Sequence, residues 1–137
     1  MSLMVLVVIV VVGIAATVAA VHLTGGSKRA VIADVQQVRD LFAADFPNER
    51  ATAVTVTADR QSAFLMLPGG RVGVVQSMGD GFFTRIVAAR DVAAIRLREP
   101  ATVSIRFRDF TWTGGHFAFS DPESARTIAR ALDPASV

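Results

Sequence analysis

From Leu3 to Leu23 no side chain carries a charge, and the run Leu3-Met4-Val5-Leu6-Val7-Val8-Ile9-Val10-Val11-Val12 continues through Gly13 and Ile14 to Val21. At about 1.5 Å per residue such a helix covers a hydrocarbon core of roughly 30 Å. The pattern predicts a transmembrane anchor over residues 1–24. Gly25-Gly26-Ser27 then forms a joint. Beyond it Val31, Val35, Val38 and Phe42 recur at helical spacing, widened by Ile32, Leu41 and Phe46, with Asp34, Gln37, Arg39 and Asp40 on the polar side. This predicts an amphipathic helix from about residue 28 to 46, stopped by Pro47. It lacks the basic polar face of a membrane-surface helix, which favours packing or docking.

From residue 51 the period becomes two. Thr52 to Ala58, Ser62 to Leu67, Arg71 to Ser77, Phe82 to Val87, Val92 to Arg98, Thr102 to Asp109 and His116 to Phe119 read as seven strands. Asp59-Arg60-Gln61, Pro68-Gly69, Gly79-Asp80-Gly81, Glu99-Pro100-Ala101 and Gly114-Gly115 punctuate them, with Pro68-Gly69 suited to the centre of a type II turn. The fifth and sixth strands fix their own register. Setting Ile95 and Leu97 against Ile105 and Val103 pairs Arg98 with Thr102 around Glu99-Pro100-Ala101. Ile95, Leu97, Val103, Ile105 and Phe107 then face inward, and Arg96, Arg98, Ser104, Arg106 and Arg108 face outward. A one-residue slip would bury the arginines. The chain closes with a helix beginning near Asp121. Either Ser120 caps it in a box with Glu123, or Asp121 caps it with Pro122 in the first turn. Ala125, Ile128, Ala129 and Leu132 form its apolar stripe.

The expected organisation is therefore an anchor (1–24), a joint and amphipathic helix (25–50), and a β domain with a terminal helix (51–137). Lys28 and Arg29 follow the apolar run, which by the positive-inside rule puts the domain in the cytoplasm beside the inner membrane. Val18-Ala19-Ala20 also resembles a signal-peptidase box, and cleavage there would leave a periplasmic domain.

Charge changes this picture little. The 14 cations, 13 of them Arg, nearly balance 12 anions, for a net +2. They form no concentrated basic stripe, which argues against a nucleic-acid partner. With no Cys, disulfides and thiolate metal sites are excluded. His22 sits at the membrane boundary and His116 reads as an ordinary strand residue. The glycine pairs are turn glycines without the spacing of a phosphate loop. No nucleophile, base or metal cluster emerges, so the expectation is a protein without catalytic residues, cofactor or metal. The arginine face, Arg96, Arg98, Arg106 and Arg108, is the one candidate interaction surface, able to receive carboxylates or lipid phosphates. Arg85 is not assigned to a face. Phe110 and Trp112, beside the Gly114-Gly115 turn, read as core closure.

Seven short consecutive strands and one C-terminal amphipathic helix resemble the pleckstrin-homology-like (PH-like) fold, in the manner of bacterial membrane-anchored proteins of that type. The resemblance covers about residues 51 to 133. It implies an α+β fold in which a seven-stranded antiparallel barrel or sandwich is capped by the terminal helix. A lipocalin-like barrel or another α+β sandwich fits the same strand count. Phosphoinositide-reading members place several basic residues around the first hairpin. Thr57-Ala58-Asp59-Arg60-Gln61-Ser62 has one Arg beside an Asp, so that property does not carry over. The expected function is a non-catalytic single-pass protein presenting a small interaction or assembly domain. The expected partners are the lipid bilayer and a membrane or membrane-proximal protein. The alternatives are an accessory subunit of a larger membrane complex, or headgroup binding through the arginine face.

Overall fold

A computed structural model describes residues 2–24 and 30–136. Helix α1 spans Leu3–Thr24, and its side chains from Leu3 to Ala20 are exposed on every side. It is long and apolar enough to cross a membrane, a test that a signal sequence also passes. The joint Gly25-Gly26-Ser27 and the cations Lys28 and Arg29 lie outside the described residues.

The remainder is α+β. Helix α2 (Val35–Asp45) precedes strands β1 (Ala53–Val56), β2 (Ser62–Met66), β3 (Val72–Met78), β4 (Gly81–Val87), β5 (Val92–Arg98), β6 (Thr102–Phe107) and β7 (Gly114–Ala118), and helix α3 (Pro122–Ala131) follows. The strands form two antiparallel meanders, β1-β2-β3-β4 and β5-β6-β7. The two sheets stay separate rather than closing into a barrel. They meet at points such as Ala58, whose N–H donates to the Ala118 carbonyl at 2.8 Å. The hairpin turns follow their glycines. Gly69, at φ +79° and ψ 24°, fits the third position of a type II turn. Gly79 supplies φ +61° at the first central position between β3 and β4.

Alternation along the first sheet feeds two cores. Phe64, Val72 and Val74 point toward the second sheet, where they meet Val92, Val103, Ile105, Phe107, Phe117 and Phe119, with Ile128 and Leu132 closing over them. Phe64 packs edge-on against Phe117 at 5.1 Å between centroids. Ala63, Leu65 and Val75 point the other way, under Val38 and Phe42 of α2. The buried run Ser62-Ala63-Phe64-Leu65 thus belongs to a strand covered on both faces. Gly73 makes the α2 contact possible. A Cβ there would lie 2.6 Å from the Phe42 ring.

Helix α2 starts later than the apolar spacing predicts. Residues 30–34 lie outside the helix, and Asp34, itself extended, caps Val35–Asp45 by accepting from the Gln37 N–H at 2.8 Å. The stretch before the cap is held by tertiary bonds: Ala30 N–H to Gly79 O at 2.8 Å, Ile32 N–H to Arg60 O at 2.7 Å, and Ser77 Oγ to Ala30 O at 2.6 Å. Ile32 is fully buried there. Long-range partners for the backbone outweigh local helical propensity at these residues.

At the other end Asp121, not Ser120, is the cap. Its carboxylate accepts from the Ser124 N–H at 2.9 Å, with Pro122 in the first turn.

The β5–β6 register is the one the alternation requires: Ile95↔Ile105, Leu97↔Val103 and Arg98↔Thr102. One inward assignment needs correction. Leu97 lies opposite buried Val103 but is itself 42% exposed. It stands near the end of β5, an edge strand with no strand on its far side among the described residues. Ile95, two residues earlier, is half-buried against the core.

Candidate functional site: an arginine face on the outer sheet

The same alternation that buries Val103, Ile105 and Phe107 turns Ser104 and Arg106 outward on β6. On β5 a register irregularity between Val92 and Ala94 resets the parity, so that Ala94, Arg96 and Arg98 share the outward side. On β7, His116 stands opposite Ser104, while Gly114 stands opposite Arg106. Gly114 is required there. It adopts φ +100°, and a Cβ would fall 2.2 Å from the Ile105 carbonyl oxygen. The outer surface of β5-β6-β7 therefore carries Arg96, Arg98, Arg106 and His116, all exposed, with Arg108 just beyond the end of β6. Arg96 and Arg106 are diagonal neighbours, a relationship that sets Cα atoms about 7–8 Å apart.

None of these four arginines has a carboxylate partner among the described residues. Two arginines of the first sheet are paired instead. Arg71 holds Glu49 in a two-pronged pair, Nη1 to Oε1 at 2.7 Å and Nη2 to Oε2 at 2.9 Å. That hydrogen bond lowers the Glu49 carboxyl below its ordinary value and raises the Arg71 guanidinium. Arg85, which the sequence alone does not assign, stays off the face. It lies on the inner side of β4 opposite Val74 and pairs with Asp109 of the β6–β7 loop. Its Nη2 also donates to Thr111 Oγ1 at 2.9 Å. This latch joins one sheet to the other.

The two aromatics of that loop divide. Trp112 closes the core, with Phe107 at 4.9 Å, Phe83 at 5.3 Å and Phe117 at 6.2 Å between ring centroids. Phe110 is wholly exposed, contrary to the core-closure expectation, because its neighbours on both sides are pinned and the loop leaves nothing above it. Phe110 and Arg108 line one shallow depression with Arg85, Asp91 and Asp109. The Arg85–Asp109–Thr111 latch and the exposure of Phe110 have no local signature. The one readable signal is the parity of Arg85, shared with Phe83 and Val87. Among the described residues no three metal-ligating side chains converge.

Comparison with protein-family models, with curated proteins and with solved structures finds no match to this chain.

Proposed function

We propose that this chain is a non-catalytic single-pass membrane protein whose two-sheet domain is a PH-like interaction module. On this reading the outer face of β5-β6-β7 is its contact surface for acidic groups, either phosphates or carboxylates. The carrying observation is the set of four guanidinium groups on one face with no carboxylate partner among the described residues, while Arg71 and Arg85 are both paired. Exposed like charges on neighbouring positions repel, and an anionic ligand relieves that repulsion while forming charge-assisted hydrogen bonds. The PH-like assignment is supported by the order of elements, a four-stranded then a three-stranded meander followed by a helix packed on β5 and β6. The membrane assignment rests on α1, and the cytoplasmic orientation on Lys28 and Arg29 after the apolar run. The non-catalytic reading rests on a chain without Cys and with His116 as the one His beyond the apolar segment. Arginine-selective footprinting in native membranes tests the contact surface. Protection of Arg96, Arg98, Arg106 and Arg108 is expected, and modification at the detergent rate refutes the reading.

A further inference from the structure

We propose that the acidic surface met by the arginine face is the anionic bilayer itself, and that Phe110 enters the membrane interface beside it. The proposal deepens the contact-surface reading above and rests on it.

Phe110 is fully exposed, yet its loop is not loose. Asp109 Oδ1 accepts from both the N–H and the Oγ1 of Thr111, each at 2.8 Å. Arg85 holds Asp109 and Thr111 from β4. On the next residue, Trp112 is fixed among Phe83, Phe107 and Phe117. The segment is thus pinned on both sides of a single aromatic ring that points into solvent. A ring presented this way loses little conformational freedom on insertion. On interfacial segments Phe is buried at the headgroup–acyl boundary while neighbouring cations sit on the phosphates.

The charges agree with that occupant. Arg108 lines the same depression as Phe110, and Arg106 stands two residues before Arg108. Of the two carboxylates in the depression, Asp109 is paired with Arg85, and Asp91 accepts from the Ala88 N–H at 2.8 Å. Neither forms an ion pair with Arg108.

Distance favours a bilayer over a free ligand. From Thr24, the last residue of α1, to Ala30, where the described body begins, six residues of chain reach at most about 20 Å. With α1 in a membrane, the body is attached within that radius of the span at Ala30, beside the β3–β4 turn, and so stays close to the bilayer. Weak contacts then act at the high effective concentration of an intramolecular encounter.

The test uses the full chain in lipid nanodiscs. Phe110→Trp places an indole at the loop tip without touching packing. Wild type, with Trp112 alone, and Gln36→Trp on the exposed side of α2 serve as references. The acyl chains are either brominated, to quench nearby indoles, or unbrominated, and the lipid is either neutral or about one-third anionic. The expected result is loss of about half of the emission added by Phe110→Trp in brominated anionic discs, as befits a ring at the headgroup–acyl boundary. The loss should vanish at high salt and in a background with Arg96, Arg98, Arg106 and Arg108 all changed to Gln, and neither reference should respond. Loop-tip indole emission that is unquenched in anionic discs overturns the proposal. Quenching that is equal in neutral lipid and in the Gln background overturns it as well, because insertion would then not depend on the arginines. If the loop-tip indole stays unquenched while footprinting finds the four arginines protected in native membranes, the face belongs to an acidic protein. The bilayer contact then fails and the contact-surface reading stands.

Discussion

Replacing Gly73 with Ala isolates the contact that binds α2 to the first sheet. An ideal Cβ at residue 73 would lie 2.6 Å from Cε2 and 2.7 Å from Cζ of Phe42, where ordinary contact is 3.4–4 Å. The ring has to retreat by roughly 1 Å to restore normal packing distances. It has little room, being 2% exposed and stacked at 5.0 Å on Phe46. Overpacking of this kind costs about 1–3 kcal/mol. Against it stands a gain of about 0.4–1 kcal/mol from restricting the unfolded chain. The net expectation for Gly73→Ala is destabilisation by about 1–2 kcal/mol. Phe42→Leu alone loses buried volume and costs about 1–2 kcal/mol. Together the two changes should cost less than their sum by about 1 kcal/mol or more, since the smaller side chain removes the clash. Urea unfolding of the full chain in mild detergent, followed by Trp112 fluorescence and far-ultraviolet circular dichroism, gives all four corners of the cycle. A Gly73→Ala protein as stable as wild type, or strict additivity, would refute the packing of α2 on β3.

Two further outcomes follow from the same structure. Phe107→Ala removes a buried ring that touches Trp112 and should cost about 3–5 kcal/mol. Arg106→Ala, one residue away on the outward face, should change stability by less than about 0.5 kcal/mol, and equal costs in urea unfolding would contradict the strand parity. The carboxyl of Asp121 is held below its ordinary value by the Ser124 N–H and hydroxyl, and that of Glu49 by Arg71. A lowered folded-state value means that stabilisation is complete above the ordinary carboxylate range and is lost as pH falls through the folded values. The thermal midpoint should therefore hold from pH 7 to about pH 5 and decline below. Asp121→Asn with Glu49→Gln should flatten that decline, and an unchanged acid limb would show that neither group contributes.

Much of the architecture is legible because the sequence alternates cleanly where only one face of a sheet is covered. Arg96, Arg98, Ser104 and Arg106 occupy one parity and Ile95, Val103, Ile105 and Phe107 the other, so one register satisfies both strands. The start of α2 is misplaced by its spacing because Val31 and Ile32 fit the helical repeat of Val35 and Val38. A corrective signal is present. Asp34 and Gln37 stand at capping-box spacing, and the Gln37 side chain accepts from the Ala33 N–H at 2.6 Å. What local pattern does not carry is what covers each surface. The spacing that turns Leu97 inward says nothing of the missing neighbour at the β5 edge. Nothing local distinguishes Phe110 from Trp112 until the loop is folded onto Arg85 and Phe83. The arginine face is legible as a face because parity alone makes it. That its members lack carboxylate partners while Arg71 and Arg85 have them emerges only from the tertiary structure.

The arginine face is tested most directly by its chemical accessibility where the protein works. Phenylglyoxal modifies exposed guanidinium groups, and peptide mass spectrometry reads each site separately. The measurement compares the full chain in native membranes with the same chain in mild detergent. Arg50 and Arg126, both exposed and away from the outer sheet face, serve as internal references. The account predicts that Arg96, Arg98, Arg106 and Arg108 react about tenfold more slowly in membranes, a difference of about 1.4 kcal/mol in access, while the references keep their rates. Four arginines that react in membranes as fast as in detergent would mean that the face is merely solvated, and the contact-surface account would be wrong.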